Sequence, residues 1–237
     1  MLVLSENDLE AISRRVLRAY WKQSAAGLTP QRVNPEVLVR DLLGLQLEYQ
    51  CLSEDGLTLG MTAFERESVF LPRFGEYEFD GKTLLVDSSF LDCFANEGRR
   101  NFTIVHEGGH HILRMLYPKV YPSGMKKRVI VHRAAHSDDP EERMVDALTA
   151  LLLMPEDLLR QNLAEVGLER GVYILAYEFT EEYLMFDRVR KMMGVSRQAL
   201  AFRMQKLGLL GRYCLDMPKI RCPDSWEKED SVYDSAG

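Results

Sequence analysis

The sequence predicts an α+β fold, with strand-like segments first and helices afterwards. Three observations carry that reading. Four β-rich or alternating runs fall at residues 45–52, 57–62, 68–71 and 83–86, with Asp80-Gly81 marking a hairpin turn between the last run and its predecessor. From residue 90 onward, apolar residues recur at helical spacing, most clearly over 102–116 and 141–154. The chain's 237 residues, with ordinary apolar and charged fractions, suffice to bury a full core.

Taken in order, residues 6–22 read as an amphipathic helix with Leu9, Ile12, Val16 and Tyr20 on one face. Asn34-Pro35 is a helix start, asparagine as N-cap and proline in the first position, and Gly44 ends that helix. The strands follow. Residues 102–116 place Phe102, Val105, Ile112, Leu113 and Leu116 on one side together with the small Gly109, the pattern of a partly buried helix. A second helix over 141–154 carries Met144, Val145, Leu148, Leu151 and Leu152, with Pro140 in its first turn. Between these two helices, residues 118–139 open on prolines and glycine and contain a strand-like 128–132, the composition of a hairpin or loop over a cleft. Residues 183–193 are helical, and Ser196 can cap a helix with Ala199, Leu200, Arg203 and Leu207 in register. The expected organisation is a core over 1–160, a helical segment packed on it over 161–217, and a charged, disordered tail over 218–237.

Composition excludes several classes. A net charge of −6 argues against general nucleic-acid affinity, and the basic spots at Lys126, Lys127 and Arg128 and at Arg188, Arg190 and Lys191 read as solvated surface. Glu6, Asp8 and Glu10 interrupt the N-terminal stretch, which rules against a signal peptide, and the longest apolar run, 147–155, is too short to cross a bilayer. Cys51, Cys93, Cys214 and Cys222 have no zinc-ribbon spacing and read as reduced thiols of a cytoplasmic protein.

The chemistry is concentrated in His106-Glu107-Gly108-Gly109-His110. On a helix, positions i and i+4 share a face, so the two imidazoles can meet one metal ion, while the adjacent Glu107 can take a proton from water activated there. By chance this pattern arises in about one chain in a hundred of this composition. All five histidines, His106, His110, His111, His132 and His136, fall within one short window, which favours a site over scattered structural use. A catalytic zinc takes three protein ligands and keeps a position open. Glu142, at the start of the second helix, is the expected third ligand, and Asp146 one turn on can accept the second ring N–H of a ligand histidine. Two histidines and a carboxylate suit Zn2+ best but admit Mn2+ or Fe2+. A closed structural zinc site is the bland alternative, but it would prefer several cysteines and no adjacent base.

Other candidates are less constrained by spacing. His132, His136, Tyr117 and Tyr121 could stabilise an oxyanion near the metal, against the plainer reading of exposed loop residues. His111 points about 100° away from His110 and reads as surface or packing. The helix pair over 183–207 has helix-turn-helix character, with Arg197, Gln198, Arg203 and Lys206 as possible partner or DNA contacts. Packing onto the core, or contact with a protein partner, is expected ahead of direct DNA binding, because the chain is acidic and shows no dimer seam.

Three blocks resemble the ImmA/IrrE family of metallopeptidases: residues 99–113 around the HExxH motif, 142–155 ending in Leu-Leu-Leu-Met-Pro, and Gly194-Val195-Ser196 through Gly208. The resemblance covers about residues 99–210. It implies a zincin-like core (a small mixed sheet, the HExxH helix and a thermolysin-like Glu-x-x-x-Asp helix), followed by a helix-turn-helix-like segment. It also implies a cytoplasmic zinc endopeptidase that cuts a separately encoded helix-turn-helix repressor at one place, in stress response or mobile-element regulation, with no membrane partner. The competing expectations are a non-catalytic or weakly catalytic regulatory protein that binds a partner protein or DNA through 195–210, or the toxin of a toxin–antitoxin pair. The chain departs from the family at Gly108, usually a large apolar residue, where a helical glycine costs about 1 kcal/mol relative to alanine, and at Asp146, commonly asparagine.

Overall fold

The computed structural model describes residues 4–23, 31–91, 97–119, 129–133, 139–175 and 180–213. Helix α1 (Glu6–Gln23) starts at a reciprocal cap, in which the Ser5 amide donates to Asp8 Oδ2 (2.9 Å) and the Asp8 amide donates to Ser5 Oγ (3.2 Å). It buries Leu9, Ile12, Leu17 and Tyr20. Asn34 caps α2 (Pro35–Val37) as expected, its Oδ1 accepting from the Glu36 and Val37 amides. The helix does not continue as an α-helix to Gly44. It widens into a π-helix over Leu38–Leu42, closed by Gly44 at φ +66°. Across the interface, Val39 and Leu43 of this segment lie against Gly108, where an added Cβ would stand 3.0 Å from Val39 Cγ1 and 3.3 Å from Leu43 Cδ1. Gly108, costly to its own helix, is where this segment seats.

Five strands follow: β1 (Gln46–Gln50), β2 (Thr58–Ala63), β3 (Arg66–Leu71), β4 (Gly75–Asp80) and β5 (Thr83–Asp87). With β6 (Val129–Arg133) they form a four-stranded mixed sheet in the order β1-β5-β2-β6 and a separate β3-β4 hairpin. Strand β4 was not anticipated, and Asp80-Gly81 is a turn but not a hairpin. Tyr77 and Phe79 of β4 pair back onto β3, while β5 runs parallel to β1 and antiparallel to β2. The turn therefore carries the chain from one sheet to the other, with Gly81 at φ +82° and the Lys82 amide donating to Asp80 Oδ1. The expected hairpin over the cleft is, in its described part, the edge strand β6 antiparallel to β2.

Every residue of β2 is buried, because the sheet is covered on both sides. Leu59, Leu84 and Val86 pack with Val39 and Ile104 on one side, and Met61, Ala63 and Leu85 pack with Leu71, Tyr77 and Phe79 of the hairpin on the other. Helix α3 (Glu97–Leu116) lies against the first of these faces. Helix α4 (Pro140–Leu153) starts at Asp139, whose Oδ1 accepts from the Glu141 amide, with Pro140 in its first turn.

The rest of the described chain is α5 (Glu156–Glu165), β7 (Val172–Leu175), α6 (Glu181–Met193), α7 (Arg197–Lys206) and β8 (Leu210–Tyr213), with β7 and β8 forming a two-stranded parallel sheet. Helix α5 runs across residue 160, and one hydrophobic cluster joins Leu9, Val105, Val145 and Leu152 to Phe186, Leu200 and Met204. The turn between α6 and α7 docks on the first turn of α3: Asn101 Nδ2 donates to Gly194 O (2.8 Å), and a Cβ on Gly98 would collide with the Ser196 amide.

This docking accounts for most of the expected contact residues of α7. Arg203 is buried and its Nε donates to the Met154 carbonyl at the end of α4 (3.1 Å), so it is not a surface contact. Arg197 lies by Asp187 and over the Tyr183 ring, and Lys206 pairs with Glu6 at 2.6 Å. Gln198 is exposed. His136, Tyr121 and the 218–237 tail lie outside the described residues. Arg203→Ala leaves the buried Met154 carbonyl unpaired and should cost about 1–3 kcal/mol, read as a lower denaturant midpoint, whereas Gln198→Ala should stay within about 0.5 kcal/mol of the parent.

Candidate metal centre

One turn apart on α3, His106 and His110 bring their Nε2 atoms to 3.2 Å. Glu142 on α4 closes the group, with Oε2 at 3.1 Å from His106 Nε2 and Oε1 at 3.6 Å from His110 Nε2. In a tetrahedral site with bonds of about 2.0–2.1 Å, donor atoms stand about 3.3 Å apart. The three separations bracket that value, so the residues present fit a divalent metal ion. Asp146 Oδ1 lies 2.9 Å from His106 Nδ1. With Nδ1–H donated to this carboxylate, the Nε2 lone pair is the one that faces His110 and Glu142.

The approach of α4 makes this possible. A Cβ on Gly109 would stand 2.9 Å from Val145 Cγ1, so the glycine is where α4 crosses α3. Glu142, Val145 and Asp146 occupy one face of α4, at i, i+3 and i+4. With Val145 seated on Gly109, its neighbours on that face reach the two histidines.

Electrostatics follow from burial and this pairing. Burial works against the His106 imidazolium, but Asp146 and Glu142 outweigh it and raise the pKa. At His110 burial is likewise overcome, by Glu141 and Glu142, and the pKa is carried up to about 9. Burial also opposes the Glu142 carboxylate, yet the two histidines hold its pKa well below the usual carboxylate range. Glu107 differs. It is fully buried, neither carboxylate oxygen has a hydrogen-bond partner among the described residues, and burial lifts its pKa to about 7 against the pull of His106 and His110. A buried carboxylate without a partner is costly. Beside two imidazoles and a second carboxylate, it is placed to exchange a proton.

Gly60 roofs this carboxylate: a Cβ there would lie 2.5 Å from Glu107 Oε1 and 2.8 Å from Thr103 Cγ2. Sequence reasoning passed over Gly60, although a glycine inside a strand signals close backbone approach. Opposite Gly60 in the β2–β6 register stands His132, its ring centroid 4.0 Å from that of His106. Burial, then the neighbouring His106, presses its pKa down to about 3, so it is a neutral imidazole with one N–H to donate. His106, His132 and Asp146 form a second, overlapping group of donors. The group with His110 and Glu142 is the better metal site, because Asp146 is engaged at His106 Nδ1.

Of the remaining candidates, His111 is a packing residue, its Nε2 2.8 Å from Thr62 Oγ1 and its ring edge-on to Phe64. Tyr117 packs against the main hydrophobic cluster beyond the end of α3. Glu141, also overlooked in the sequence, lies 3.7 Å from His110 Nδ1, on the side of the ring that Asp146 takes at His106 but beyond hydrogen-bond reach.

About one divalent ion per chain should bind, as measured by elemental analysis, and His110→Ala or Glu142→Ala should abolish it. Asp146→Ala should keep the stoichiometry and lose about 10–100-fold in affinity by chelator competition. Because His110 holds a proton up to about pH 9 and a metal takes only the neutral ring, loading at pH 7 should release a proton and weaken as the pH falls. Calorimetry in buffers of different ionisation enthalpy reads that proton directly. No protein-family model matches the chain, and no curated protein matches it, so what the site can do is read from its own geometry.

Proposed function

We propose that this protein is a zinc-dependent endopeptidase with a zincin-like core, and that its substrate is a helix-turn-helix transcriptional repressor encoded separately. The observation that carries the reading is the convergence of His106, His110 and Glu142 beside the fully buried and unpartnered carboxylate of Glu107. The resemblance of residues 99–113, 142–155 and 194–208 to the ImmA/IrrE peptidases supplies the substrate class.

His106, His110 and Glu142 would hold the metal, and Asp146 keeps the His106 ring in the tautomer that presents Nε2. Zinc, when bound, supplies Lewis acidity that lowers the pKa of water and polarises a carbonyl. Glu107 then has one task in two halves. Its carboxylate, whose proton affinity burial raises, takes the proton of the attacking water and returns it to the amine of the broken peptide bond. The proton count closes, with no covalent intermediate on the protein. His132 is neutral, lies against His106 and carries a donor N–H suited to the oxyanion formed at the scissile carbonyl. Strand β6, at the sheet edge, gives an extended substrate a backbone to pair with on its outer side.

A structural zinc site explains this arrangement less well, since it gives no reason for a buried carboxylate without a partner. Direct DNA binding through α7 is disfavoured by the burial of Arg203 and the pairing of Arg197 and Lys206 within the chain.

Mapping new protein N-termini in cells that express the wild type or Glu107→Gln tests the proposal. A single neo-N-terminus in a helix-turn-helix repressor, present with the wild type and missing with a Glu107→Gln protein that still carries metal, is the expected result. With that repressor purified, Glu107→Gln should lose about 100–10,000-fold in kcat, and His132→Ala should lower kcat without releasing metal. Cleavage that persists in metal-loaded Glu107→Gln would overturn the assignment.

A further inference from the structure

One turn before Glu107 on α3 stands Thr103, and residues four apart on a helix share a face. Both are fully buried. They also meet the same piece of backbone: Thr103 Cγ2 and Glu107 Oε1 lie 2.8 and 2.5 Å from the point where a Cβ on Gly60 of β2 would stand. The strand presses the two side chains together from above.

A threonine or serine inside a helix ordinarily donates its hydroxyl to the carbonyl three or four residues earlier. Ser13 does so in α1, reaching Glu10 O at 3.0 Å. Thr103 does not: its Oγ1 is buried and has no hydrogen-bond partner among the described residues, and the same is true of both Glu107 oxygens. An unmatched donor and an unmatched acceptor therefore sit one turn apart under one glycine. Each is costly alone, since a buried polar group without a partner has lost its water and gained nothing. Helical threonine divides between two rotamers, and a turn about Cα–Cβ brings the hydroxyl to the place beside Gly60 that the methyl holds, on the side of Glu107 Oε1.

We infer that Thr103 is a positioning residue for Glu107, its hydroxyl donating to the carboxylate and holding one oxygen against β2. The other oxygen is then left for the proton of water. The threonine proton stays on threonine throughout, and no bond to the protein forms or breaks. A side chain needed only to fill the space under Gly60 would serve as well with a second methyl, so valine separates the two roles. The inference rests on the peptidase reading, in which Glu107 takes and returns the water proton.

The test is a double-mutant cycle in urea on the zinc-loaded full chain, pairing Thr103→Val, which keeps the shape and removes the hydroxyl, with Glu107→Leu, which removes the acceptor. With Glu107 in place, Thr103→Val should raise the unfolding equilibrium constant about tenfold, as expected for loss of a hydrogen bond to a charged group. In the Glu107→Leu background the hydroxyl is buried without an acceptor, and the same substitution should leave that constant unchanged or lower it. Should Thr103→Val fail to fold, Thr103→Ser and Thr103→Ala, which differ by the hydroxyl alone, take its place in the cycle. On the repressor identified by its neo-N-terminus, Thr103→Val should lower kcat about 10–100-fold with KM unchanged, and Thr103→Ser should recover most of the loss. The inference is overturned if both backgrounds respond alike to Thr103→Val, or if kcat is indifferent to the hydroxyl. Because the cycle needs no substrate, coupling in a chain that cuts nothing would count against the peptidase reading alone, and cleavage without coupling against this inference alone.

Discussion

The whole arrangement hangs on the crossing of α3 and α4 at Gly109. A helix that carries two metal-ligating histidines needs a third donor from elsewhere, and a single short carboxylate side chain cannot bridge an ordinary interhelical distance of 8–10 Å unless the helices pack closely near it. Gly109 removes the side chain that would hold α4 away, and Val145 fills the place. Glu142 and Asp146 then fall on either side of that contact, one toward the metal position and one toward His106 Nδ1. Gly108 does the same for the opposite neighbour, admitting Val39 and Leu43. The adjacent glycines thus let two elements close on one helix, at a cost to helix propensity of about 1 kcal/mol each.

Close packing has an electrostatic consequence. Two buried imidazoles, three carboxylates and a buried fourth share a small volume, and each shifts the others. Glu141, Glu142 and Asp146 favour positive charge on the histidines, and this is the local field that also favours a cation among them. Glu107 lies under the backbone of β2 at Gly60, with no hydrogen-bond partner among the described residues, and burial raises its proton affinity. The separation of roles between Glu142, strongly acidic, and Glu107, weakly so, comes from what each touches. The two residues have the same side chain.

The C-terminal helices brace this centre. Asn101 holds the α6–α7 turn through Gly194 O, Arg203 ties α7 to the end of α4, and Lys206 reaches α1. The side chains that made α7 resemble a recognition helix are largely consumed in holding it down.

Much of this was legible in the linear sequence, for reasons of period and local chemistry. Helical spacing located α1, α3, α4, α6 and α7; the caps at Asn34 and Ser196 and the Pro140 in the first turn of α4 were readable because they act through bonds only a few residues long. His106, Glu107 and His110 were evident because their geometry is set within one helical turn. Beyond that reach the sequence was silent. It did not reveal β4, whose charged residues alternate with Tyr77 and Phe79, nor that Asp80-Gly81 joins two sheets, since strand pairing is chosen between distant segments. It offered Arg203 as a possible partner or DNA contact and could not single it out as the member of that set that is buried, because burial is a property of what packs against a residue. It named Glu142 and Asp146 from their place on a helix, but only the crossing at Gly109 brings them to the histidines. Local bonds are written in neighbouring residues, whereas a close approach between helices depends on the space that two remote side chains leave to each other.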